Sequence, residues 1–210
     1  MKKNSVINAA MRYVNKILLP LEDYYYHQYN HALDVMKRAE YLGRKEGLEE
    51  ENIEILCLAA LFHDSGFIIE YDNNEVFGAR IASNYLKIIL YPEEKIKIVE
   101  KLILATDPKY KKPKNILEKI IKDSDMDNLG REDFFDKGQK LKKELEIIKK
   151  IKIKDPDWHH STLDLLYEHK FFTKYQLKER NKTKEINKIH LKDLIGKNKK
   201  VEFKDYSIEL

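Results

Sequence analysis

Cysteine is almost absent from this 210-residue chain: Cys57 stands alone, so no intrachain disulfide can form and a secreted disulfide scaffold is excluded. Glycine (7) and proline (5) are scarce, which disfavours an all-β fold with many tight turns. No uninterrupted apolar run is long enough to span a bilayer. The stretch from Val6 to Leu19 is broken by Asn8, Arg12, Asn15 and Lys16, and reads neither as a signal-peptide core nor as a membrane span. The expectation is a soluble cytoplasmic protein with no membrane partner. Arginine is also sparse, since most of the 40 basic residues are lysine. A surface built to grip phosphates favours arginine.

What is present is ordinary apolar content, 42%, beside 36% charged residues, which suits a folded chain with a highly charged exterior. The net charge of +4 is uneven. Lys137 to Lys200 carry 19 basic and 9 acidic residues, while the remainder is net acidic. Leu141, Leu145 and Ile148, then Leu163, Leu166 and Tyr167, recur there at helical spacing. The region is therefore expected to pack on the rest of the chain, with lysines and interspersed acids such as Glu144, Asp164 and Glu168 outward, and nucleic acid is not the expected partner.

The periodicity is helical almost throughout. Helices are expected over about 6–19, 22–46, 49–64, 75–90, 92–105, 114–129 and 132–150, then one or two over 157–194, with fraying after Gly196. The fold class is all-α. A helical core over 1–135 carries extra C-terminal helices, 136–210, as one domain.

Three places put metal-competent groups into apolar stripes. His31 shares a helix face with Val35, Ala39 and Leu42, although a single buried histidine is also a common core residue. His63-Asp64 closes the nearly unbroken apolar helix of LCLAALFHDSGF. A carboxylate there needs a cation or several donors, and a helix C-terminus favours a cation; a capping histidine beside a solvated aspartate fits the dipeptide equally. Asp123, Asp125 and Asp127 alternate in the third place. Leu117, Ile121 and Leu129 bracket Asp125 on one stripe, which favours Asp125 as the inward group; a shift of two positions would pick Asp123 instead, and a solvated acidic face is the other alternative. Two imidazoles and two carboxylates suit Mn²⁺, Mg²⁺, Fe²⁺ or Zn²⁺ and leave positions for water and substrate.

His31, His63-Asp64 and Asp125, in that order and spacing, resemble the HD superfamily of metal-dependent phosphohydrolases. YNHALDV, LAALFHDSGF, NEVFGARIA, LILAT and IIKDSDMDNLGREDF are similar to one bacterial subgroup, and the likeness extends through LKKEL, Trp158 and EHKFFT, covering about His27 to Lys184. A bare His-Asp pair is a weak signal; the ordered set is a specific one. The resemblance implies an HD-domain helical bundle, with His31, His63, Asp64 and Asp125 as ligands of a divalent metal ion. It also implies hydrolysis of a phosphoester or phosphoanhydride bond, of a nucleotide, by a metal-activated water. Glu75 falls where relatives carry a His-Glu pair. Asn74 replaces that histidine, which removes a potential extra ligand and disfavours a second metal ion. Glu75, with Asp64, is the expected catalytic carboxylate, orienting water or protonating the leaving group; an ordinary helix N-terminal carboxylate is the alternative.

Arg131 is a candidate substrate-phosphate clamp, or a partner of Asp127. Lys101, Lys109, Lys111 and Lys112 flank a loop beside Thr106 and are further candidate contacts. His27, His159 and His160 read as surface residues, Tyr24, Tyr25, Tyr26 and Tyr29 as packing residues, and Cys57 as core. The rival from another class is a catalytically silent metal or nucleotide sensor on the same scaffold. Neither the substrate nor a homo-oligomeric state follows from the sequence.

Overall fold

The computed structural model describes residues 3–21 and 23–205, with only the backbone of residues 3, 4 and 197–205. Among them nine α-helices occur and no strand: α1 (Lys3–Leu18), α2 (Tyr29–Lys45), α3 (Glu50–Phe62), α4 (Asn74–Ile88), α5 (Glu93–Leu104), α6 (Ile116–Asp125), α7 (Phe134–Ile148), α8 (Asp155–Glu168) and α9 (Lys174–Asp205). Two 3₁₀ turns, Ser65–Ile68 and Met126–Gly130, follow α3 and α6. No helix among the described residues is long and apolar enough to cross a membrane.

The bundle is built around α3. Every residue from Ile53 to Phe62 is buried, as expected of a helix apolar on all sides, and α1, α2, α4, α5 and α6 surround it. Acidic Glu50 and Glu51 occupy its first turn, where the helix dipole favours them. Asn115 caps α6: its Oδ1 accepts the Glu118 N–H at 3.0 Å, while its amide donates to the Glu118 carboxylate at 3.1 Å. A second apolar cluster, Leu129, Phe134, Leu166, Phe171 and Leu191, joins α8 and α9 to the turn after α6.

Several expectations need correction. The second helix starts at Tyr29 and not near residue 22, which lies outside the described residues. The preceding turn is held open because the Glu144 carboxylate accepts the N–H groups of Tyr26 (2.8 Å) and His27 (3.0 Å). Glu144 is therefore fully buried, not outward. Lys142 and Lys184 are buried as well, their ammonium groups bonded to Asp155 and to His169. Residues 155 and 156, expected in a loop, form the first turn of α8, where proline's missing N–H costs nothing. Past Gly196, α9 continues to Asp205; the end of the expected frayed tail lies outside the described residues.

Candidate metal centre

The end of α3 is pressed against the start of α4 by glycine. A Cβ on Gly66 would lie 1.8 Å from the Asn74 carbonyl oxygen, and one on Gly78 2.9 Å from that of His63. Only hydrogen at both positions lets α4 approach the His63-Asp64 corner so closely.

At that corner the His63 Nδ1 bonds the Ala60 carbonyl at 2.8 Å, fixing the ring so that Nε2 points inward. Nε2 of His63 stands 3.0 Å from Asp64 Oδ2 and 3.3 Å from Asp125 Oδ1. Nε2 of His31, brought in by α2, stands 3.3 Å and 3.4 Å from the same two oxygens. The ligand atoms of His31, His63 and Asp125 all lie within 4.8 Å of one another. The four expected ligands are thus brought together from α2, the end of α3 and α6.

Electrostatics here are dominated by mutual pairing. Burial pulls both imidazoles down, but hydrogen bonds and charges from Asp125 and Asp64 outweigh it, so His31 moves up and His63 well up. Burial pushes Asp64 and Asp125 up, and the facing imidazoles more than reverse that. Even so, His63 Nε2 and Asp64 Oδ2 are buried without a properly oriented hydrogen bond. Buried polar atoms seldom go unsatisfied. Two imidazole nitrogens and two carboxylate oxygens converging with such orphans are the donor set of a divalent cation, and the residues fit one.

The other aspartates of the acidic run do different work. Asp123, with no exposed surface, accepts the backbone N–H of Phe172 (2.9 Å) and of Thr173 (2.7 Å). Burial still pushes its carboxyl up to about 6. Asp127 is also buried, paired with Arg38 (2.9 Å) and Arg180 (2.6 Å). Asp125 was favoured over both as the inward group. The partners of Asp123 and Asp127, in α2, in the loop before α9 and in α9 itself, are distant in the sequence, so local periodicity carried no sign of them.

Glu75 opens α4 half-buried, and burial, then the charges of Asp107, Asp64 and Asp125, push its carboxyl up. The buried Asn74 amide stands between the carboxylates of Asp64 (3.3 Å) and, with the amide turned over, Glu75 (3.2 Å). Arg131 lines the cleft beside His31, Asp125 and Tyr26. Its fork is bidentate to Asp133 (2.8 and 2.6 Å), with Asp34 and Asp127 at 3.5 and 3.7 Å, so its donors are largely taken. Lys101, Lys109, Lys111 and Lys112 are exposed.

The sequence reading missed two groups near the metal centre, His27 and Lys122, while Tyr26 packs beside it as expected. His27 is not a free surface residue: its Nδ1 is bonded to Glu144, and its ring lies 4.3 Å from Phe67 and 5.9 Å from His31. Tyr26 packs its ring 4.7 Å from His31. Lys122, one turn before Asp125, donates to the carbonyls of Ala105 (2.9 Å) and Asp107 (3.2 Å), and burial lowers its ammonium. The one-turn spacings of His27 from His31 and of Lys122 from Asp125 were the only local signs, and both fit a solvent-facing residue equally.

An all-α bundle with a His, His-Asp, Asp centre between its helices defines the class, and the family comparison agrees: residues 29–127 match the HD domain. Those residues carry an HD domain. Among curated proteins none matches it. Solved structures share the fold. YpgQ of Bacillus subtilis, crystallised in complex with ADP, has a TM-score of 0.68 at 18% identity, over 92% of this chain and 95% of that one. Lin1889 of Listeria innocua gives 0.63 at 20% identity, over 92% and 96%. An HD-superfamily hydrolase of Bacillus thuringiensis gives 0.61 at 18% identity, over 99% and 100%.

Proposed function

We propose that this chain is a cytoplasmic metal-dependent phosphohydrolase that cleaves a phosphoester or phosphoanhydride bond of a nucleotide. The observation that carries the reading is the convergence of His31, His63, Asp64 and Asp125 with orphaned, buried ligand atoms. The ADP bound by YpgQ, a distant likeness in fold, supports a nucleotide as the substrate.

His31, His63, Asp64 and Asp125 would hold the divalent ion. When bound, the ion supplies Lewis acidity toward a phosphoryl oxygen and acidifies water. The chain's own residues do the rest. Glu75, raised by its acidic surroundings, holds or takes the travelling proton between attacking water and leaving oxygen. Asp64 keeps the imidazoles aligned as well as ligating. Lys122, on the helix that carries Asp125, offsets phosphoryl charge. Arg131 contributes a rim cation, and its contact with phosphate requires exchange of the Asp133 pair.

A nucleotide panel incubated with the purified protein and Mn²⁺, Mg²⁺, Fe²⁺ or Zn²⁺, with phosphate and nucleoside products quantified, tests this. Metal-dependent turnover is expected. It should be abolished in Asp64→Ala and reduced about 10²–10⁴-fold in Glu75→Gln, with the latter keeping its metal. Tight nucleotide binding without turnover would instead identify a sensor.

A further inference from the structure

We propose that His169 is a substrate-phosphate ligand, a neutral imidazole locked by Lys184 so that its Nε2–H donates to a phosphoryl oxygen. The inference rests on the phosphohydrolase reading above and adds a subsite made by the C-terminal helices.

His169 closes α8 and enters the loop to α9, within the EHKFFT segment whose likeness the metal centre leaves unused. That loop is clamped on both sides. The His169 N–H donates to the Leu165 carbonyl at 2.9 Å, and the Phe172 and Thr173 N–H groups donate to Asp123, two residues before Asp125. The His169 ring rests edge-on against Phe171, 4.7 Å between centroids.

Lys184 is 2% exposed, and no carboxylate is bonded to its ammonium among the described residues. Its Nζ donates to the His169 carbonyl, lies 3.1 Å from His169 Nδ1 and stands 5.4 Å over the Phe171 ring. An ammonium has donors only, so Nδ1 must accept, and the single proton of the neutral ring is left on Nε2. No protein group among the described residues is bonded to Nε2, and the residue is only partly buried.

The bonds of Phe172 and Thr173 to Asp123 hold this loop against α6, the helix of Asp125, and the charges that act on His169 agree with that placement. They belong to Lys184 on α9, Lys122 and Asp125 on α6, and Lys111 in the loop before α6. Burial first, then Lys184, Lys122 and Lys111, push the imidazole down to about 3, with Asp125 opposing. A phosphoryl oxygen carries several lone pairs and suits a group that can only donate from its exposed edge. A donor that stays neutral adds no further positive charge beside Lys184, Lys122 and Lys111.

The test reads the ring directly. Long-range ¹H–¹⁵N correlation spectra of the metal-loaded protein, titrated with inorganic phosphate, should show His169 Nε2 protonated and Nδ1 unprotonated at neutral pH. Phosphate should shift the Nε2–H signal. Lys184→Met should release the lock, with both tautomers appearing. His169→Phe should weaken phosphate binding about 10–100-fold with metal content unchanged, and His169→Gln, which keeps a donor near Nε2, should restore much of it. Protonation at Nδ1 in the wild type, or phosphate affinity indifferent to both His169 variants, overturns the proposal. Normal hydrolysis with KM unaffected by His169→Phe sinks the subsite and spares the hydrolase. A phosphate-responsive His169 in a protein that hydrolyses no ester supports the subsite and sinks the hydrolase.

Discussion

Asp123, Asp125 and Asp127 are identical side chains on alternate positions of one short segment, and each meets a different partner. Asp125 faces two imidazoles, Asp123 two backbone amides, and Asp127 two guanidinium groups. The choice of Asp125 was legible because Leu117, Ile121 and Leu129 mark its stripe. The burial of its neighbours was not, because Phe172, Thr173 and Arg180 approach from some fifty residues away. Asp125→Asn is expected to lose bound metal and turnover together. Asp123→Ala should keep its metal but lose about 1–3 kcal/mol, since buried amides lose their acceptor. Elemental analysis and urea unfolding of both variants separate the effects, and metal loss in the Asp123 variant alone would reverse the assignment.

Helix α7 reaches back to the turn before α2 through one carboxylate. Glu144 accepts from Tyr26, His27 and Tyr71, and so shapes the approach to His31. Burial raises Glu144, but the His27 side chain and the backbone amides outweigh it and hold it below the ordinary 4.5. The unfolded chain therefore takes up this proton first as pH falls. The contribution is complete above about pH 4.5 and is lost as pH drops through the lower folded value. Urea midpoints at pH 6 and pH 4 should fall more in the wild type than in Glu144→Gln, which has no such proton to bind. The α3–α4 corner has a steric requirement instead. Gly66→Ala must push Asn74 away, and a cost of about 1–3 kcal/mol is expected with a drop in kcat as Glu75 moves. Unchanged stability and kcat would show that the two helix ends tolerate more separation.

At the scale of the whole molecule, the metal should act as a fold ligand, because the ligands come from three separate helices that only the folded chain assembles. A metal at about 100 times its Kd stabilises by about 2.7 kcal/mol. Thermal unfolding with and without chelator should show that increment as a rise in Tm of about 5–10 °C, and His63→Ala should abolish it. The basic segment is read as packing and not as a nucleic-acid arm: Lys142 and Lys184 are buried, and Leu166, Phe171 and Leu191 join the second apolar cluster. Duplex DNA binding should accordingly be weak near physiological salt. A steep log–log salt slope, about −0.9 per phosphate contact, with sub-micromolar affinity would contradict this.

The local sequence by itself indicated most of the helices and placed four metal-competent side chains on apolar stripes, each with an ordinary structural alternative, and their ordered likeness to the HD superfamily joined them into one set. Apolar spacing is a short-range signal, and His31, His63, Asp64 and Asp125 each lie on or close a buried stripe. Tertiary structure alone decided the rest. Glu144 is buried because a turn over a hundred residues earlier presents two unpaired amides to it. Lys184 sits inside because a carbonyl and an imidazole at the end of α8 accept its protons. Each of these is a charged residue whose burial is favourable only once a distant donor or acceptor arrives, and no periodicity within its own helix encodes that partner.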